Sequence, residues 1–191
     1  MKNLLQRFWK DDNGTSSIEI VLVFPVFFGF FLMTYESGIL SSRQVMLEHG
    51  VDVATREIRI GVIATDDADD LRDILRARIC EAASILPDCA TQLEIELIQR
   101  DPRNWTALDP DIECVDRSDL SAAYTGNIDT GGNNQLMFLR ACIRIDPFLP
   151  SSALGKAFIA ANEGNAAAGE SYALVATSAF VVEPFRADDG T

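Results

Sequence analysis

The stretch IVLVFPVFFGFFLM, residues 20–33, is the densest apolar block of the chain and carries no charge. It continues uncharged through Tyr35, and with the residues from Thr15 onward it reaches roughly 20 residues, the length of helix that crosses the hydrocarbon core of a bilayer. Glu19 is the single charged residue between Thr15 and Tyr35. The sequence therefore predicts a transmembrane helix over residues 15–36.

The residues that flank this block predict its orientation. Lys2, Arg7 and Lys10 precede it, and the positive-inside rule keeps such cations on the cytoplasmic side. We expect residues 1–14 to form a basic cytoplasmic leader and residues 37–191 to form a periplasmic domain, in a single-pass protein of the inner membrane. A cleaved secretory signal fits less well because no small-x-small site follows the block. A buried core helix is rarely so uniformly apolar and aromatic.

The size and charge of the chain exclude several functions. Its 191 residues fit one domain and an anchor, but not two enzymatic domains. The 16 Lys and Arg residues against 29 Asp and Glu residues give a net charge of -13. Such a charge repels a phosphate backbone, so we expect no nucleic-acid partner.

The cysteines predict an oxidising compartment. Cys80, Cys89, Cys114 and Cys142 all follow the apolar block, and none forms a C-x-x-C motif. Zinc sites usually have more closely spaced pairs, whereas an even number of cysteines beyond a membrane segment suits disulfides in the periplasm. We favour Cys80 with Cys89 and Cys114 with Cys142, because each pair closes a short loop. Four unpaired buried thiols are the alternative.

Glu19 needs a compensating partner, because an unpaired charge at the centre of a bilayer costs on the order of 2.5 to 3.5 kcal/mol, and less near its edge. Cleavage after Gly14 would make Thr15 the N-terminus and Glu19 the fifth residue of the mature chain. This spacing resembles the class III signal of type IV pilins. The resemblance implies that a prepilin peptidase cleaves after Gly14. It also implies that Glu19 pairs with the new terminal amine, on the same or a neighbouring subunit.

The N-terminal region as a whole resembles the TadE-like family, whose members carry a glutamate and, six residues later, a proline within the span. Here these residues are Glu19 and Pro25, and the basic, polar lead RFWKDDNG precedes them. The resemblance covers about residues 7–62 and, more weakly, the segment VATSAF at 175–180. Further matching positions lie beyond the membrane block: Glu36, Gly38, Ala54, Thr55, Arg56, Arg59 and Gly61. Residues 15–17, Thr-Ser-Ser, stand where the family often has alanine.

The resemblance implies a minor pilin or pseudopilin that helps to build or initiate an adhesive tight-adherence pilus. Its partners would be the prepilin peptidase, other minor pilins, the pilus assembly platform and the membrane. Pro25 removes an amide from the helix, which predicts a kink that serves either subunit packing or the anchor alone. Two alternatives remain: a bitopic periplasmic interaction module without pilin processing, and an anchored ligand-binding or enzymatic domain.

Helical periodicity continues beyond the membrane block. It predicts a helix from about Thr15 to Ile60, ended by Gly61. The apolar residues of one face recur every three or four positions: Leu40, Leu47, Val51, Ala54, Ile58 and Val62. Four aspartates at 66, 67, 69 and 70 predict the start of a second helix, ended by Pro87, rather than a calcium loop. Residues 151–161 predict a short helix.

Three stretches predict the strands of one antiparallel sheet: 93–97, 137–145 and 172–183. Their charges suggest that Glu94 and Glu96 lie beside Arg140 and Arg144 on neighbouring strands. The last stretch is apolar on both faces towards its end, as in a central strand. Residues 101–134 and 147–170 have the composition of exposed loops. The predicted fold is α+β: a long membrane-spanning helix that continues into a small domain with a second helix and a small antiparallel sheet.

The sequence offers little chemistry. His49 is the single histidine and falls within a predicted helix, where a solvated or packed side chain is expected. The sequence contains no phosphate-binding or dinucleotide-binding fingerprint. We therefore expect no enzyme activity, no cofactor and no metal.

Overall fold

The computed structural model describes residues 15–63, 65–110, 112, 114–117, 126–161 and 170–184. The chain divides into two units, residues 1–38 and residues 39–191, and the second is called the domain below. The helices are α1 (Thr15–Arg59), α2 (Ala68–Ala82), α3 (Cys89–Gln92) and α4 (Ala153–Ala160). The strands are β1 (Leu93–Arg100), β2 (Leu136–Ile145) and β3 (Tyr172–Val181). These elements confirm the predicted α+β fold.

Backbone hydrogen bonds end α1 near the predicted glycine. Gly61 has a φ of 75°, in the left-handed region that glycine adopts without strain. The amides of Gly61 and Val62 donate to the carbonyls of Ile58 and Glu57, each over 3.0 Å. This is the Schellman arrangement, which satisfies carbonyls that the helix itself leaves free.

The aspartate group caps α2. The carboxylate of Asp67 accepts hydrogen bonds from the amides of Asp69 and Asp70, two donors that the first turn would otherwise leave unpaired. The predicted end of this helix is wrong. It stops at Ala82, well before Pro87, and the chain then turns towards Cys89, which is bonded to Cys80.

The core of the domain lies between the helices and one face of the sheet. The strand order is β1-β2-β3, with both pairs antiparallel. Alternate residues of each strand are buried on this face, and they include Leu93, Ile95, Leu139, Ile143 and Leu174. The predicted stripe of α1 packs here through Leu47, Val51, Ala54 and Ile58. Val62, beyond the end of α1, is instead 62% exposed.

The place of β3 in the sheet differs from the prediction. The apolar run at the end of this strand suggested a central position, but β2 is the central strand and β3 lies at an edge. The core-facing residues of β3, among them Leu174 and Phe180, are buried, whereas Val175 and Val181 on its other face are 38% and 46% exposed. The apolar residues on the second face of β3 are therefore partly exposed, and they do not indicate a central strand.

Part of the second face of the sheet, on β1 and β2, is covered by a segment for which the sequence predicted an exposed loop. Trp105 contacts Phe138 edge-on, with 5.7 Å between ring centroids, and the Cys114–Cys142 disulfide fixes the segment to β2. Cys80 and Cys89 form the other disulfide, so the pairs are those that the short loops favoured. Trp105, Cys114 and Val115 belong to this cover. Composition predicts a loop but not the surface on which the loop lies.

Helix α1 comes close to α2 at Gly50. A Cβ atom at this position would lie 2.8 Å from the carbonyl oxygen of Ile79 and 3.3 Å from the Cβ of Ala83. The first distance is shorter than any normal contact and involves backbone, so a side chain requires the two helices to separate. The sequence could not reveal this constraint, because it does not identify the distant residue that packs against a glycine within a helix.

We expect Gly50→Ala to destabilise the domain by about 1 to 3 kcal/mol, the usual cost of overpacking, despite the better helix propensity of alanine. Gly38→Ala is the matched control, because a Cβ there has nothing within 4 Å. Urea unfolding of the full chain in detergent, followed by near-ultraviolet circular dichroism, measures both. Equal stability of the two variants would contradict the tight contact.

Candidate membrane-anchoring and assembly site

The first part of α1 exposes a continuous apolar surface. An 18-residue window of the helix has a mean hydropathy of 2.1 with none of it buried, so α1 is long and apolar enough to cross a membrane. Its large side chains are mostly exposed, for example Val21 at 69%, Phe27 at 66% and Phe30 at 68%. Monomeric soluble proteins rarely expose a contiguous surface of this kind. Lipid or other apolar helices are the environments that would cover it.

Glu19 is the one acidic side chain within this apolar surface, and it is exposed. A shallow apolar groove runs along the helix from Glu19 past Ile20 and Val23 to Phe24 and Phe27. Residues four and eight positions after Glu19 share its face of the helix, so the carboxylate stands at the end of an apolar strip. Such a surface can receive an apolar helix that brings a cation to Glu19.

Aromatic side chains stack along the same helix. The ring centroids of Phe24 and Phe28 are 5.6 Å apart, and those of Phe28 and Phe31 are 6.2 Å apart, with nearly parallel planes. The helix continues through Pro25 without a break. A kink at Pro25 therefore remains a prediction. The hydroxyl of Thr34 donates to the carbonyl of Phe30 over 2.9 Å, which satisfies the polar group within the apolar segment.

The predicted cleavage position, Gly14, lies outside the residues that the structure describes. Glu36 and Gly38, which belong to the matching pattern, lie in α1, and Glu36 is buried.

A second concentration of charge lies on the covered face of the sheet. Glu96 and Arg140 are opposite each other in the strand register, and their side chains form an ion pair of 3.3 Å, as the sequence suggested. Glu94 does not pair with Arg144. It binds Arg76 of α2 at 3.2 Å, because Glu94 is opposite Cys142 and the helix passes beside the edge of β1.

The buried arginines of β2 hold the covering segment in place. Arg140 donates to the carbonyl of Asp109 over 2.9 Å, and Nε of Arg144 donates to the carbonyl of Val115 over 2.9 Å. Burial, and next the neighbouring Arg117, lower the pKa of Arg144. Both guanidinium groups are thus engaged by backbone carbonyls. These contacts fix a loop, and they leave the arginine heads without access to a ligand from solvent.

Sequence reasoning missed Arg76 and Arg117. Arg76 follows Asp73 by three positions, a helical ion-pair spacing that could have drawn attention to it. Arg117 binds Gln92, the carbonyl of Arg144 and the carboxylate of Asp146. These partners come from two segments that are far from Arg117 in the sequence, and no local pattern predicts such a meeting.

Other chemistry is sparse in the described part of the chain. His49 is exposed on α1. Within residues 17–63, 65–110, 112, 114–117, 126–161 and 170–184, no three His, Cys, Asp or Glu side chains converge as metal ligands would. The apolar helix with Glu19 is therefore the best candidate for a functional site among these residues.

The burial of Glu94 makes a pH-dependence testable. Its side chain is 13% exposed, and burial raises its pKa above the ordinary 4.5, although Arg76 and Arg72 act in the opposite direction. The folded domain therefore binds this proton more tightly than the unfolded chain. The stabilisation from this group is present below pH 4.5 and is lost as the pH rises through the folded-state pKa.

We expect Glu94→Gln to gain stability relative to the unsubstituted chain as the pH rises from 4 to about 7. Urea unfolding at a series of pH values measures this difference. In an Arg76→Gln background this difference in stability should develop at higher pH, because a cation that favours the ionised carboxylate is gone. A difference that falls with pH would show that the ion pair with Arg76, rather than burial, dominates.

Comparison with known proteins does not place the chain in a family. No protein-family model, no curated protein and no solved structure matches it.

Proposed function

We propose that this protein is a minor pilin or pseudopilin similar to TadE-like proteins, with a structural role in building a tight-adherence pilus. In this proposal its N-terminus lies in the cytoplasm, α1 crosses the inner membrane, and the domain lies in the periplasm. The observation that supports it most is the exposed apolar first part of α1, whose one acidic residue, Glu19, follows Gly14 by five positions.

The position of Glu19 has a physical rationale within this proposal. Cleavage after Gly14 leaves an ammonium group on Thr15, and residues four positions apart lie on the same face of a helix. The carboxylate also favours the positive end of the helix dipole near the first turn. Pairing with the amine removes most of the cost of holding either charge in lipid. Where the amine belongs to a neighbouring subunit, the same pair fixes the axial register of two helices.

The domain fits a periplasmic location. Its two disulfides hold the segment after α2 and the cover of the sheet, and such bonds persist in oxidising compartments. The proposed partners are the prepilin peptidase, which would cut the leader, and other minor pilins and the assembly platform, which would receive the apolar helix. The action is structural, because α1 would supply packing surface and register rather than chemistry.

An anchored periplasmic interaction module without processing is the alternative that the same helix allows. In that case Glu19 would be a tolerated charge near the membrane edge, and the leader would remain attached. The two proposals differ in the covalent structure of the N-terminus, which is directly measurable.

We expect the membrane-extracted protein to begin at Thr15 in cells that contain their prepilin peptidase and at Met1 in cells that lack it. Intact mass and N-terminal peptide mass spectrometry distinguish the two forms. Gly14→Val should leave the leader attached even with the peptidase present, and Ser42→Val, on an exposed position of α1 away from the cut, is the control. A chain that begins at Met1 in both strains would favour the unprocessed module.

We also expect Glu19→Gln to enter the membrane normally and to be lost from pili sheared off the cells. The amide removes a charge that is costly in lipid, but it cannot form the ion pair that sets register. Asp52→Asn is the matched control, because it changes an exposed carboxylate on the same helix within the domain. Quantitative blotting of sheared and membrane fractions measures the loss. Normal recovery of the Glu19 variant in the sheared fraction would contradict the pairing role.

A further inference from the structure

The outer edge of β3 is an unusual feature of this acidic chain. The strand YALVATSAFV, residues 172–181, contains no charged residue and no proline, although the chain as a whole carries a net charge of -13. Sheet edges are usually protected by lysine, proline, a bulge or a covering element, because their free amides and carbonyls pair with other strands. This edge lacks the charges and the proline that normally prevent such pairing.

The direction of the backbone groups follows from the hydrogen bonds at both ends of the strand. Val182 exchanges hydrogen bonds with the segment that leads into β2, through Gln135 and Asn134. Alternate residues point the opposite way, as the contact of the Val175 carbonyl with Gln44 of α1 shows. The amides and carbonyls of Thr177, Ala179 and Val181 therefore point outward, and no backbone group of the described residues pairs with these three on that side. The amide of Glu183, the next residue of this set, donates to the carbonyl of Arg59 at the end of α1 over 3.2 Å.

The residues whose backbone groups point outward form a self-complementary set. They are Ala173, Val175, Thr177, Ala179 and Val181. When a second copy lies antiparallel about a two-fold axis at Thr177, each alanine is opposite a valine of the other copy and Thr177 is opposite Thr177. Small residues then face β-branched ones at every position except the central threonine pair, and threonine pairs are favourable neighbours across strands.

The charges at the ends of β3 are also complementary in this register. Glu170 of one copy would lie opposite Pro184 of the other, beside Arg59, which binds Glu183 at 2.8 Å and keeps a side chain 56% exposed. The symmetry places one such Glu170–Arg59 contact at each end of the paired strands. Glu48, held near Val175 through Gln44, works against association. However, the two Glu48 positions are about 13 Å apart along the strands, beyond the Debye length of about 8 Å at physiological salt.

We propose that β3 is a homotypic interface, where two copies of this chain join their sheets edge to edge in antiparallel register about Thr177. The interface belongs to the domain and does not involve the apolar part of α1. Cleavage after Gly14 plays no part in it, so an uncleaved chain should pair in the same way. Failure of this interface and failure of the pilin proposal are therefore separate results.

Single cysteines in the full chain, within native membranes, test the register. A hydrogen-bonded pair of residues has about 5.5 Å between Cα atoms, within the range that a disulfide spans, so Thr177→Cys should give a covalent dimer under a mild thiol oxidant. Val181→Cys is the matched control on the same exposed face, because its symmetry mate lies about 26 Å away. Ala173→Cys combined with Val181→Cys should restore the dimer.

We expect several-fold more dimer for Thr177→Cys than for Val181→Cys on a non-reducing gel. Equal yields at both positions would indicate random collision, and no dimer at Thr177 in a chain with both native disulfides intact would exclude this register. Either result overturns the proposal.

A proline substitution tests the hydrogen bonds independently of added thiols. The amide of Thr177 points away from β2, so Thr177→Pro should leave the sheet of one chain folded while removing a bond on each side of the axis. We expect association of the detergent-solubilised chain, measured by analytical ultracentrifugation, to weaken on the order of tenfold. Thr177→Val keeps the amide and should associate normally. A proline variant that associates as tightly as the valine variant would contradict strand pairing.

Discussion

One continuous helix must satisfy two different environments, and the rest of the structure follows from that constraint. The first part of α1 exposes apolar side chains on all sides, as lipid requires, whereas its last turns bury only the stripe that runs from Leu47 to Ile58. The helix is continuous where the exposed part meets the partly buried part, because only the side chains differ and the backbone hydrogen bonds are the same in both. The domain must therefore supply an apolar surface that matches one stripe of α1. The sheet and α2 do so, and Gly50 lets the two helices approach closely.

Among the described residues, the helices cover one face of the three-stranded sheet. Irregular chain covers part of the second face, on β1 and β2, and such chain cannot satisfy its own backbone groups as a helix does. Arg140 and Arg144 meet this need by donating to carbonyls of that segment, and Cys114 links it covalently to β2. The buried ion pair of Glu96 with Arg140 offsets part of the desolvation of both groups. A small domain thus uses charge and disulfides where a larger one would use a second helical layer.

The sequence predicted the elements well, because each has a local cause. The period of α1, the glycine at its end, the capping aspartate of α2 and the alternation of β1 are all set by neighbouring residues. Features set by distant residues were not predictable. Glu94 binds Arg76 rather than Arg144, and Trp105 and Cys114 contact residues on the second face of the sheet. For the candidate site, the sequence identified the apolar block, Glu19 and Pro25. The groove beside Glu19 is visible only in the three-dimensional structure.

The error over β3 shows how an edge strand can carry the composition of a central one. Apolar residues on both faces ordinarily indicate burial by the same chain, yet Val175 and Val181 remain exposed. A second copy supplies the missing neighbour without any change in the fold. Anchoring by α1 would favour this contact, since confinement to a membrane raises the effective concentration of one domain near another, much as a linker does. Confinement would then strengthen the association that the backbone hydrogen bonds and alanine–valine contacts of the edge provide in detergent.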